Sequence, residues 1–214
     1  AVVELAVVSL LCRGHILLED VPGTSKTMLA RALARSVAAD MKRIQCTPDL
    51  LPSDITGVAI YNQKSAEFKF RPGPVFTNLL LADEINSATP RAQSALLECM
   101  EEFRVSSDGT THELPKLFMV LATQNPIDMA GTHPLPEAQL VRFFVRLSIG
   151  YPTLDEEVSI LAAQVKAHPI DSLQPVISES AVLAAREQVK EIHIAPDVAK
   201  YIVRIGDATR RHPE

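Results

Sequence analysis

The chain has 214 residues, enough to bury a substantial core as one domain or one and a half. Hydrophobic residues make up 47% and charged residues 22%, an ordinary balance for a soluble globular protein. The net charge of −5 argues against a broad nucleic-acid-binding face, which would be basic.

Residues 1–14, AVVELAVVSLLCRG, are apolar but too few to span a bilayer. They carry Glu4, lack a basic start and read as a packed helix. Residues 15–20 are a short apolar run ending in turn residues, as buried parallel strands do. From 27 to 39, Leu29, Ala32, Leu33 and Val37 recur at helical spacing. Residues 43–46 are a short strand candidate. The Pro-, Asp- and Ser-rich stretch 47–56 reads as loop, and 58–70 alternates weakly around Asn62-Gln63 as a hairpin would.

Residues 79–84, LLLADE, form a second continuous apolar strand, which ends in two acids. Thr89 is placed to cap the next helix, with Pro90 at its first position. Ala92, Leu96, Cys99, Met100 and Phe103 keep that helix's spacing. Asp108-Gly109, within 104–114, is a strong two-residue hairpin signal. Residues 117–123 and 143–149 are further apolar strands. After Gly150-Tyr151-Pro152 the strands stop. Thr153 and Glu156 make a capping-box pattern, and helical patterns occupy 155–167, 179–190 and 196–211.

The expected organisation is an α/β domain over 1–150, with a parallel sheet covered on both faces, then an all-helical piece over 151–214. The chain starts at Ala1 and stops just after a helical pattern, so it is expected to be a fragment of a longer protein. Cys12, Cys46 and Cys99 are far apart and read as reduced, buried thiols. Neither they nor the scattered histidines show ligand spacing, which predicts no protein-ligated metal.

The stretch 17–27, LLEDVPGTSKT, has the layout of a phosphate-binding loop: an apolar strand, a turn at Pro22-Gly23, a Lys-Thr pair, then a helix. In such loops, backbone N–H groups at the positive end of a helix point at phosphates. The lysine reaches the terminal phosphates and the hydroxyl binds magnesium. The strict pattern has glycine where this chain has Asp20 and Ser25. Ser25 keeps its N–H but adds a Cβ and a hydroxyl.

Asp83-Glu84 ends a buried strand about 57 residues after Lys26. Such a pair is either two solvated acids or a magnesium-holding Asp beside a Glu that polarises water, and the spacing favours the second. Asn125 ends the strand LFMVLAT before a proline. It is either a turn residue or an amide that orients the water. Arg142 lies in PLPEAQLVRFF and is either an ion-paired surface group or a finger projecting into a neighbouring subunit's site.

Together, EDVPGTSKT, RIQCTPDLLPSDITG, FRPGPVFTNLLLADEIN, TPRAQSALLECMEE, LATQNP and GTHPLPEAQLVRFFVRLSIGYP closely resemble the MoxR family of AAA+ ATPases over nearly the whole chain. The resemblance implies a P-loop fold with a five-stranded parallel sheet in the order 5-1-4-3-2, a β-hairpin insert near 57–70, and the first part of a helical lid over 151–214. It makes Lys26 and Thr27 the Walker A residues, within a nucleotide-binding run of Val21, Pro22, Gly23, Thr24, Ser25, Lys26, Thr27 and Met28. It makes Asp83 and Glu84 the Walker B pair, with Thr27 and Asp83 on magnesium and Glu84 as catalytic base. Asn125 matches sensor 1, and Arg142 matches the arginine finger used in trans.

The implied activity is Mg²⁺-dependent ATP hydrolysis by a cytoplasmic, hexameric ring that remodels or matures protein clients. The family often works with von Willebrand factor A-domain partners. No nucleic acid and no membrane span are implied. The alternative is a nucleotide-binding scaffold with little or no hydrolysis. Two neighbours depart from the family pattern: Val141 replaces the acid of Leu-Asp-Arg-Phe, and Ser87 stands where arginine is common. The family's sensor 2 arginine lies beyond the last residue.

Overall fold

A computed structural model describes residues 1–20, 26–64, 66–126, 131–164 and 168–212. In chain order the elements are α1 (Val2–Leu11), β1 (Ile16–Glu19), α2 (Lys26–Ser36), β2 (Met41–Gln45), α3 (Pro52–Thr56), β3 (Gly57–Asn62) and β4 (Glu67–Pro72). There follow β5 (Leu79–Asp83), α4 (Pro90–Glu102), β6 (Arg104–Ser107), β7 (Thr110–Glu113), β8 (Met119–Gln124), α5 (Glu137–Leu140) and β9 (Val145–Leu147). The last helices are α6 (Leu154–Gln164), α7 (Pro169–Ser172), α8 (Glu179–Val189) and α9 (Pro196–Arg211).

Five strands pair in the order β2-β5-β8-β1-β9, and every pairing is parallel. Counted as core strands, that is 2-3-4-1-5, the expected 5-1-4-3-2 read from the other edge. The continuous apolar runs have a simple cause. Successive side chains of a strand point to opposite faces, and here both faces are covered. Leu80, Ala82, Val120 and Ala122 pack with Ala92, Leu96 and Met100 of α4. Leu79, Leu81, Met119 and Leu121 pack with Leu10 of α1 and Ala30 and Leu33 of α2. Each buried leucine contributes roughly 1.5–3 kcal/mol.

The local signals act as their chemistry predicts. Thr89 accepts from the Ala92 N–H at the start of α4, and Thr153 and Glu156 exchange the reciprocal bonds of a capping box. Asp108 and Gly109 both take positive φ, and Ser107 pairs directly with Thr110 across the turn. The other hairpin, β3–β4, pairs Gly57 with Pro72 at one end and Asn62 with Glu67 at the other, so it runs two residues past the expected 70.

Two local expectations are corrected. The stretch read as loop contains α3, because Pro52 suits a first helical position and Asp54 accepts the Leu51 N–H at 2.9 Å. Cys12 is exposed at the carboxyl cap of α1, past the helix's packed residues, whereas Cys46 and Cys99 are buried.

The helices after Gly150 touch the sheet through few residues. Arg186 of α8 is buried, and its guanidinium donates to Leu10 O at 2.9 Å and Lys116 O at 3.0 Å. Val182 packs into the α1–α2 side of the core. Among the described residues no helix is long and apolar enough to cross a membrane.

Candidate functional site

The carboxyl ends of β2, β5 and β8, with the start of α2, enclose a polar cavity of about 180 Å³. Lys26, Arg43, Gln45, Asp83, Glu84, Thr123, Gln124 and Asn125 line it. This is where a parallel α/β sheet binds ligands, beyond the strand ends. The structure therefore brings together four of the residues singled out by sequence: Lys26, Asp83, Glu84 and Asn125. Val21, Pro22, Gly23, Thr24 and Ser25 lie outside the described residues.

Lys26 opens α2, and its ammonium donates to the Asp20 carbonyl at 2.7 Å. Thr27 follows on the same turn and faces a neighbouring groove shared with Arg31, Lys42 and Arg43. Met28 is half-buried on α2 and is not among the lining of the cavity. Asp20, which stands at a glycine position of the strict loop pattern, has a structural task. Its carboxylate accepts from the backbone N–H groups of Ile149 and Gly150 at 2.7 and 2.6 Å, tying the end of β1 to the chain leaving β9.

The two acids are held differently. Asp83 is buried at 7% exposure, and Glu84 is exposed. Glu84 sits at φ 56° and ψ 53°, a left-handed conformation that is uncommon for a residue with a side chain. One hydroxyl serves both acids. Thr123 Oγ1 accepts from the Glu84 N–H at 2.9 Å and donates to Asp83 Oδ1 at 3.2 Å. Arg43 pairs with Asp83 Oδ2 at 2.5 Å, and Gln45 donates to Glu84 Oε2 at 3.2 Å. The local field is negative: burial, then the charges of Asp83 and Glu84, push the nearby Cys46 thiol up to about 12.

Asn125 is steadied from the 3-10 turn that follows Glu84, where Asn86 Nδ2 donates to Asn125 O at 3.4 Å. Asn86 in turn accepts the His133 N–H at 2.6 Å. Ser87 closes the same turn through its N–H to Glu84 O at 2.8 Å.

Arg142 is placed elsewhere, outside the lining of the cavity. It pairs with Glu101 of α4 at 2.5 Å and donates to Leu97 O at 3.1 Å. Val141 points to solvent at 80% exposure, so Glu101 supplies the carboxylate for Arg142. The sequence did not single out Arg43, Gln45, Thr123, Asn86 or Glu101. The signal that was available is register: Gln45 lies directly opposite Asp83 once β2 and β5 pair in parallel.

The donor set suits a magnesium nucleotide. Thr27 and Asp83 offer hard oxygen donors, and Lys26 at a helix start offers positive charge to phosphates. Among the described residues, no cluster of three His, Cys, Asp or Glu side chains forms a self-contained metal site.

Residues 15–145 match the profile of the ATPase family associated with various cellular activities (AAA). The chain is 54% identical to the uncharacterized protein YeaC of Bacillus subtilis over 98% of its length and 65% of that protein. It is 44% identical to Chaperone MoxR1 of Mycobacterium tuberculosis, over 98% of this chain and 55% of that one. A solved structure of a candidate ATPase from Cytophaga hutchinsonii superposes with a TM-score of 0.86 at 41% identity, covering 97% of this chain and 63% of that one. The chain thus spans 55–65% of the lengths of these relatives.

Proposed function

The chain belongs to the MoxR branch of the AAA ATPases, and on that footing we propose that it binds ATP with magnesium at the start of α2 and the carboxyl ends of β2, β5 and β8, and hydrolyses it. The observation that carries the proposal is the cavity that gathers Lys26, Asp83, Glu84 and Asn125. Lys26 would reach the terminal phosphates, and the amide groups at the start of α2 would offer donors to the same anion. Thr27 and Asp83 would hold magnesium, which neutralises charge on the phosphates when bound.

Glu84 takes the role of base. Its carboxylate accepts from Gln45 Nε2 at 3.2 Å and would polarise the attacking water. Asn125, whose backbone carbonyl is held by Asn86, would orient that water from the end of the neighbouring strand β8. Arg142 is outside the cavity of its own chain, which fits a charge-stabilising role in a neighbouring subunit once it leaves Glu101. Residues 1–150 form the nucleotide-binding domain and 151–214 the first part of a helical lid.

At the level of the whole protein, the reading is a cytoplasmic, hexameric, chaperone-like ring acting on protein clients with a von Willebrand factor A-domain partner. The relative named Chaperone MoxR1 supports the chaperone part.

A Glu84→Gln chain is expected to bind ATP but to lose phosphate release by about 100-fold or more. Undiminished release would remove Glu84 from the role of base. ATP binding without turnover in the unmodified full-length protein would favour the non-hydrolysing scaffold instead. Arg142→Ala subunits mixed with Lys26→Ala subunits should regain part of the lost turnover if the arginine acts in trans. No regain would place it in cis or outside catalysis.

A further inference from the structure

Five side chains at the ends of three neighbouring strands close into one hydrogen-bonded circuit. Arg43 Nε donates to Asp83 Oδ2 at 2.5 Å, and its Nη2 donates to Gln45 Oε1 at 3.1 Å. Gln45 Nε2 donates to Glu84 Oε2 at 3.2 Å. Thr123 closes the ring, accepting from the Glu84 N–H at 2.9 Å and donating to Asp83 Oδ1 at 3.2 Å. Both carboxylate oxygens of Asp83 are thereby engaged, one by a neutral hydroxyl and one by a full positive charge.

The members differ in freedom. Asp83 and Thr123 are buried and belong to inner strands. Arg43 stands on the edge strand β2, and its side chain is 56% exposed. The guanidinium is therefore the part that can leave without disturbing the core. A divalent cation that takes Asp83 meets this guanidinium on the same carboxylate, and the two cations repel. When Arg43 turns away, Gln45 Oε1 loses its donor, and the amide that holds Glu84 loses its anchor.

We propose that Arg43 is a positioning residue that competes with magnesium for Asp83. It thereby sets how much magnesium nucleotide binding requires. The inference rests on the reading of Asp83 as the magnesium-side carboxylate. It adds that this carboxylate already carries a built-in cation, and that the cost of removing it is a property of β2.

The test is a magnesium titration of ATP binding, followed with a fluorescent ATP analogue, on the unmodified chain and on Arg43→Met. The half-saturating magnesium concentration is expected to fall about three- to tenfold in Arg43→Met, the scale of one partly exposed ion pair. Arg43→Lys restores the charge and is expected to return the requirement toward that of the unmodified chain, although an ammonium cannot fork between Asp83 and Gln45. Arg43→Gln repeats the neutral case should methionine disturb the edge strand. An unchanged or raised magnesium requirement in the neutral variants would overturn the proposal. Binding that is magnesium-independent in every chain, Asp83→Asn included, would remove the reading of Asp83 itself, and the inference with it.

Discussion

The sheet and the helices after Gly150 use similar apolar residues to opposite effect. Leu79, Leu80, Leu81, Met119, Val120 and Leu121 are completely buried. In the helices, Leu154 is 81% exposed, Leu161 70% and Ile202 55%, and no described residue of α6 or α9 is buried. The sheet covers itself on both faces with α1, α2 and α4, and so it can hold polar groups such as Thr123 and Asp83 at fixed positions at its carboxyl end. The later helices present amphipathic faces and attach to the α/β part at a few points, among them Arg186 and Val182 of α8 and the Ser36 carbonyl, which accepts the Val176 and Ile177 N–H groups. The proposed chemistry resides in the region whose packing is complete.

The largest effect that should separate the regions comes from pH. His15 is buried beneath β1, receiving the Val120 N–H on Nδ1 and contacting Met100 O through Nε2. Burial first, with Arg186 and Arg13 adding repulsion, lowers its pKa from 6.5 to about 4. The folded value lies below the unfolded one, so the contribution is fully present above about pH 6.5. It is lost as pH falls toward 4, by up to about 3 kcal/mol. Urea unfolding of the chain at pH 7 and pH 4.5 should show this decline, and a His15→Gln variant should flatten it. An equally steep decline in that variant would assign the loss to other groups.

A smaller effect is expected at the junction. Arg186→Ala removes the donors to Leu10 O and Lys116 O and leaves a hole beside α1. It should destabilise the chain by about 2–3 kcal/mol. A loss under about 0.5 kcal/mol would mean that α8 is not fastened to the sheet through this residue. The smallest effect belongs to the exposed face of α9: Ile202→Ser should change the stability of this chain by no more than about 0.5 kcal/mol. A loss comparable to a core substitution would show that the face is covered.

Local chemistry made much of the fold legible. Continuous apolar runs marked the inner strands, because both of their faces are buried, and Asp108-Gly109 marked a turn that needs positive φ twice. Thr89 and Thr153 marked helix starts through their hydroxyls. The short helix α3 was hidden in a stretch whose proline and aspartate suit a loop equally well. The gathering of Lys26, Asp83, Glu84 and Asn125 could be expected because all four sit at strand ends or the helix start after one. Their partners could not, because Arg43 meets Asp83 only through the parallel register of β2 on β5. Glu101 meets Arg142 only because α4 passes under the chain entering β9. Asp20 departs from the strict glycine pattern of the phosphate loop, and only the close approach of Ile149 and Gly150 shows what its carboxylate does.

The most direct test is calorimetric titration of ATP with magnesium into the unmodified chain and into Lys26→Ala. Saturable binding at one site in the unmodified chain, weakened at least about tenfold by Lys26→Ala, is the predicted result. No binding in the unmodified chain, or equal affinity in both, would contradict a nucleotide site at the start of α2 and the carboxyl ends of β2, β5 and β8.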